Sequence, residues 1–179
     1  MNRFVFADPN MCIGCRTCEI ACALSHQEDG TIAGMGSAEF LPRLTMVKNA
    51  KVSTPVMCRQ CDDAPCAQVC PNNAIVTENN HIKVIQDRCI GCKTCVMACP
   101  YGAMNVVTTI SEKTVGPFTQ QVVKSEAQKC DLCGDREIGP ACVSVCPTGA
   151  LRLVVPNDLA AMNARKQQAS AEAGLNINL

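Results

Sequence analysis

The chain has 179 residues in which sixteen Lys and Arg balance sixteen Asp and Glu, so the formal charge is zero and no basic stripe is available to hold a nucleic acid. No Trp, one Tyr and four Phe give too little aromatic surface for an ordinary core, and no apolar run approaches the roughly twenty residues that span a bilayer. What the chain has in excess is cysteine, sixteen in all, on a length that suits one compact unit or two small lobes.

Residues Met1 to Asp8 carry neither the apolar stretch nor the cleavage site of an export signal, which points to the cytoplasm. The first four cysteines follow as Cys12, Cys15, Cys18 and Cys22, in the run C-x2-C-x2-C-x3-C. Their segment E-I-A-C reads as a short helix, and Ala23-Leu-Ser-His26 after it brings neither proline nor strand. Residues 30–50 are an insertion without cysteine. Its Gly34-Met-Gly-Ser-Ala-Glu39 lacks the third glycine and the preceding strand of a dinucleotide loop, so it reads as a plain loop.

The second quartet is Cys58, Cys61, Cys66 and Cys70, with Pro71 next. Here A-Q-V-C predicts a short helix, Ala74–Val76 a strand, and residues 79–85 a turn with a returning strand, together a hairpin. Cys89, Cys92, Cys95 and Cys99 repeat the first spacing and end on Pro100, with V-M-A-C as a helix and Met104–Val107 as a strand. Residues 108–128 form a second insertion. The fourth quartet, Cys130, Cys133, Cys142 and Cys146, has eight residues between its second and third members, closes on Pro147 and leads through V-S-V-C to a strand at Leu151–Val155. Residues 157–173 predict a helix capped by Asn157 or Asp158 and stopped by Gly174. Its apolar face holds little beyond Leu159 and Met162, which suits either a solvent helix or a docking arm for a partner subunit.

These spacings carry a chemistry. Two overlapping C-x2-C turns wrap backbone over one face of a [4Fe–4S] cube, three thiolates holding one cluster while the fourth reaches another. Amides of such a loop point at the sulfurs. Gly14 and Gly91, in the repeated C-I-G-C, admit positive φ and close approach. Proline after the fourth cysteine turns the chain out of its helix. Four quartets therefore predict four [4Fe–4S] clusters with no thiol left over, and a holoprotein charge of about −8. Disulfides would need an oxidising compartment, zinc rarely takes C-x2-C-x2-C, and no quartet contains a histidine. A zinc-bearing structural scaffold is the alternative from a different class, with the fourth quartet its best place.

The first quartet matches the third nearly residue for residue, and the second resembles the fourth, so the chain reads as a duplicated two-cluster ferredoxin. The fold class expected is α+β, with short helices and β-hairpins around the clusters and a C-terminal helix. Arg16, Arg59, Lys93 and Lys129 stand beside ligands, where positive charge raises local potentials or steers an acidic partner, unless it merely solvates a surface. No phosphate loop and no Ser/His/Asp set is present, and His26 and His81 are the only histidines, so a non-catalytic carrier is expected.

The opening M-N-R-F-V-F-A-D-P-N-M-C-I-G-C-R-T-C-E-I-A-C, with C-R-Q-C-D-D-A-P-C-A-Q-V-C-P, C-I-G-C-K-T-C-V-M-A-C-P-Y-G-A and K-C-D-L-C…G-P-A-C, resembles the four-cluster subunits of formate hydrogenlyase and related formate dehydrogenase–hydrogenase systems. The resemblance covers residues 1 to about 155 and extends to the electron-transfer subunits of molybdopterin oxidoreductases. It implies two ferredoxin-like lobes, 1–50 with 121–155 and 51–120, followed by a tail at 156–179. It also implies a pairing that the repeat alone would not suggest. Cys12, Cys15 and Cys18 share a cluster with Cys146; Cys130, Cys133 and Cys142 with Cys22; Cys58, Cys61 and Cys66 with Cys99; and Cys89, Cys92 and Cys95 with Cys70. The partners it implies are a molybdopterin or tungstopterin formate dehydrogenase-type subunit and a hydrogenase or further iron–sulfur subunit. Alternatives within the class are a nitrate, thiosulfate or sulfoxide reductase, or a filament-forming wire of a hydrogen-dependent CO2 reductase with the tail helix as its joint.

Overall fold

The structure is a computed structural model that describes residues 1–27, 31, 36, 40–115, 118–134 and 136–174. The loop expected at 34–39 lies, but for Gly36, outside them.

Among the described residues, eight strands pair as four separate antiparallel two-stranded sheets. Strand β1, Phe4–Ala7, was not evident in the sequence, and it pairs with β8, Leu151–Val154, in the register Phe4↔Val154 to Ala7↔Leu151. Alternation explains its inner face: Val5 and Ala7 are buried while Phe4 and Phe6 stay half-buried on the other side. The pair joins the two ends of the cysteine-bearing chain. Strands β2, Thr45–Lys48, and β3, Ser53–Val56, form a hairpin that starts in the first insertion and ends just beyond it. Strands β4, Ile75–Glu78, and β5, His81–Val84, form the expected hairpin, its turn made by Asn79 and Asn80 at φ 48° and 60°. The strand expected at 104–107 is the start of β6, Asn105–Val115, which pairs along its whole length with β7, Phe118–Gln128. The second insertion is thus a long ribbon.

The helices between third and fourth cysteines are short. Helix α2, Pro65–Gln68, α3, Thr94–Ala98, and α4, Ala141–Ser144, each make about one turn before the chain reaches a Cys-Pro step. Helix α1, Thr17–Leu24, runs on for eight residues because no proline follows Cys22. Helix α1 packs against α4, and α2 against α3.

Two hydrophobic clusters result. One gathers Val5, Leu44, Met46, Met57, Leu132 and Leu151 with the thiols of α1 and α4. The other gathers Ala64, Ile75, Ile82, Met104 and Ala127 with the thiols of α2 and α3. Helix α5, Pro156–Gly174, buries none of its residues. It begins one residue before the expected caps. Asp158 instead lies in the first turn and its Oδ2 accepts the Val155 N–H at 3.1 Å. Among the described residues no helix is long and apolar enough to cross a membrane.

Candidate metal centres

All sixteen cysteines are free thiols. The topology lines three cavities with four cysteines each, in every case drawn from two quartets. Because β1 pairs with β8, the loop after β1 faces the loop before β8, and Cys12, Cys15, Cys18 and Cys146 line one small cavity. Packing of α2 on α3 makes two more. Cys58, Cys61, Cys66 and Cys99 line one, and Cys70 with Cys89, Cys92 and Cys95 the other. Where α1 packs on α4, Cys130, Cys22, Cys133 and Cys18 each oppose a charge on Cys142.

Backbone geometry repeats around the groups. The third residue of the first C-x-x-C unit in each quartet takes a left-handed conformation: Gly14 (φ 68°), Gln60 (φ 53°), Gly91 (φ 66°) and Leu132 (φ 61°). Glycine is required twice over at the first and third quartets. A Cβ on Gly14 would collide with Ser53 Oγ of β3, and one on Gly91 would lie 2.5 Å from Ser125 Cβ of β7. Each C-I-G-C loop is therefore seated on a hairpin from one of the cysteine-free insertions. Arg16 (φ 64°) and Lys93 (φ 66°) are also left-handed, at a cost on the order of 1 kcal/mol each.

Donors converge on sulfur. Backbone N–H groups of Arg43, Gln60, Ala74 and Ala127 donate to Cys22, Cys58, Cys70 and Cys89 at 3.3–3.4 Å. Thr17 Oγ1 donates to Cys15 at 3.3 Å, while Thr94 Oγ1 lies 3.4 Å from Cys92 and Thr148 Oγ1 3.7 Å from Cys146. The thiols respond to these settings. Hydrogen bonds from Thr17 and Thr94 lower Cys15 and Cys92, the two exposed ones. Burial opposes ionisation of Cys146, yet donors from Leu151, Thr148 and Ala150 together lower it. Burial dominates inside: it pushes Cys18 and Cys66 up to about 11, Cys130 up to about 12, and Cys142 further still. Burial of these thiols opposes their ionisation, which a bound cation would offset.

Comparison with known proteins agrees with this chemistry. Residues 88–154 match a 4Fe-4S dicluster domain, residues 55–110 an LdpA Fe-S cluster-binding domain, and residues 9–28 a 4Fe-4S binding domain. The chain is 52% identical over 172 residues to the electron transport protein HydN of Escherichia coli K12, covering 96% of this chain and 98% of that one. It is 53% identical to the putative electron transport protein YsaA of the same strain, over 85% of this chain and 89% of that one. Formate hydrogenlyase subunit 2 of that strain is 39% identical over 94% of this chain and 89% of its own. The chain belongs to this family of iron–sulfur electron-transfer proteins.

Iron–sulfur clusters fit the residues present in this family member. Free thiols line three cavities four at a time, N–H and O–H donors point at sulfur, and a bound cation would offset the burial that opposes ionisation. Of the four cations singled out in the sequence, three are exposed, although Arg59 and Lys93 help line two of the cavities. Arg16 is exposed and its Nε meets Glu19 at 2.9 Å. Arg59 and Lys93 are exposed, Arg59 lying over the Tyr101 ring at 5.9 Å. Lys129 alone is buried.

Sequence reasoning missed two polar arrangements. Glu19 is 5% exposed, and its Oε1 accepts the Met46 N–H at 2.7 Å, tying α1 to β2. His26 Nε2 lies 3.0 Å from Asp131 Oδ1, Arg43 pairs with the same carboxylate, and His26 Nδ1 lies 2.7 Å from the Cys22 carbonyl. Burial disfavours charge on His26, but Asp131 and Cys22 hold it up at about 10. Asp131 is itself held far below the carboxylate range: burial acts against this, and His26 and Arg43 outweigh it. This cluster braces the stretched fourth quartet. The D-L-C step within K-C-D-L-C was the one visible sign of it.

Proposed function

We propose that the chain carries single electrons through four [4Fe–4S] clusters between a formate dehydrogenase-type molybdopterin or tungstopterin subunit and a hydrogenase or further iron–sulfur subunit. It does so in the cytoplasm, without a catalytic site of its own. The observation that carries the reading is the crossover of thiols: three cavities are each lined by three cysteines from one quartet and one from another, as two-cluster ferredoxins do. The name and similarity of formate hydrogenlyase subunit 2 support the choice of formate and hydrogen as the terminal couples.

Such clusters supply reversible one-electron chemistry with no bond made or broken to substrate. The chain's own part is to hold, insulate and order them. Two lobes, built on 1–50 with 121–155 and on 51–120, each hold two. The two hydrophobic clusters support a division into two, although Met57 joins the first and Ala127 the second, across these boundaries. Cys18 and Cys142 lie close enough to influence each other, as do Cys130 and Cys58, so neighbouring groups abut in the order 12/15/18/146, 22/130/133/142, 58/61/66/99, 70/89/92/95. The exposed Cys15 and Cys92 then sit in the two end groups, each flanked by an isoleucine 61% exposed, Ile13 and Ile90. Those ends are the ports where partners dock.

The reading is tested by mixing anaerobic oxidised protein with a formate dehydrogenase and formate, then with a hydrogenase. Bleaching of the brown colour by the first and its return with hydrogen release by the second is the expected course. Failure of formate dehydrogenase to reduce the protein, while dithionite does, contradicts the assignment of partner.

A further inference from the structure

The two hydrophobic clusters meet at a polar seam. Gln60, 2% exposed, donates through Nε2 to the Cys130 carbonyl at 2.7 Å, and its Oε1 accepts the Ile82 N–H at 2.8 Å. Lys129, 3% exposed, reaches into the same place from the residue before Cys130. Its Nζ donates to the Cys130 carbonyl at 2.9 Å, to Gln60 Oε1 at 3.5 Å and to the Ile82 carbonyl. Lys129 also lines the cavity of Cys58, Cys61, Cys66 and Cys99. Every acceptor it has is a neutral oxygen. Among the described residues no carboxylate pairs with it, whereas Arg16, Arg43, Lys83 and Lys124 all have one.

A buried ammonium without a counter-charge is costly, so lysine is retained at such a position only where an anion faces it. Two candidates do. Cys66 and Cys130 belong to different groups, and the charge of Lys129 acts on both, against the burial that raises them. A thiolate-ligated [4Fe–4S] cluster in each group would be a permanent anion on either side of the seam.

We propose that Lys129 is the shared counter-charge of the two inner centres, 58/61/66/99 and 22/130/133/142, raising the reduction potential of both so that an electron crosses the seam between near-equal levels. This rests on the reading that both groups hold clusters. One electron enters and the same electron leaves, with no proton moved. Adding it makes a cluster one unit more negative, and a fixed cation in a dry, low-dielectric setting stabilises that state far more than an exposed one does. Arg16, Arg59 and Lys93 face solvent, where screening removes most of the same effect. The position is a tuning one: Lys129 touches backbone, not the reacting metal.

The test is an EPR-monitored redox titration of the anaerobic holoprotein, with iron counted in every sample. In Lys129→Met, two of the clusters should become harder to reduce by about tenfold at a given ambient potential, equivalent to about 59 mV for one electron, and the other two should hardly move. Lys129→Arg, which keeps the charge, should leave all potentials near those of the parent. If Lys129→Met fails to hold iron, Gln60→Glu decides, because it places a carboxylate against Nζ while lysine stays; the same two potentials should fall. Full iron with unchanged potentials overturns the proposal. So does an equal shift of all four clusters, or the same shift from Met and Arg. A parent protein lacking iron in the inner groups would instead remove the cluster reading beneath it.

Discussion

Thr17, Thr94 and Thr148 each stand two residues after a cysteine, and each hydroxyl lies within reach of that sulfur. At this scale the centres are built by single atoms, and single substitutions separate them. Cys146 is held by β8 beside the first quartet, so Cys146→Ser should remove about four irons, from the group of Cys12, and leave that of Cys130 intact. Iron analysis with EPR of the reduced protein reads this; loss of the other signal would show the pairing to be wrong. Gly91→Ala meets both a left-handed backbone and Ser125, whereas Gly102→Ala meets only the backbone term in open space. The first should therefore cost more than the second, whose strain is about 1–2 kcal/mol, in anaerobic denaturant melts of the holoprotein. Equal losses would mean that the seat on β7 is not tight.

Elements show why part of this was legible and part was not. The β4–β5 hairpin and the one-turn helices were readable because Asn79-Asn80, and the proline after Cys70, Cys99 and Cys146, impose local geometry. Strands β2, β3 and β7 lie in segments that carry no metal motif, and their task is to receive Gly14 and Gly91 at a distance in sequence. Strand β1 is four residues long, and only its partner β8 makes it a strand. The left-handed positions at Gln60 and Leu132 were invisible for a similar reason. Neither residue prefers that conformation, and the surrounding thiols and the Gln60 network impose it. Helix α5 was legible from its alanines, and its independence follows from its burying nothing. Deleting residues 156–179 should leave iron content unchanged and shift stability by less than about 1 kcal/mol. A truncated protein that loses iron would show that α5 supports the core.

Across the whole molecule, the scarcity of aromatic residues is matched by a core in which cysteine is the commonest partner in both hydrophobic clusters. Four separate two-stranded sheets cannot hold a fold of this size, since isolated hairpins are marginal in water. Metal binding must then supply much of the folding free energy. Stripping the iron anaerobically with a chelator should abolish cooperative melting and free all sixteen thiols to alkylation, while a zinc scaffold would keep its fold under iron-selective chelation. Sixteen thiols taken by fours make iron per chain the decisive number. Iron and acid-labile sulfide should be measured per chain on protein purified without oxygen, alongside the EPR spectrum after dithionite reduction. The account predicts about sixteen of each, with interacting reduced-cluster signals. Iron near eight, or little iron beside stoichiometric zinc, would contradict it.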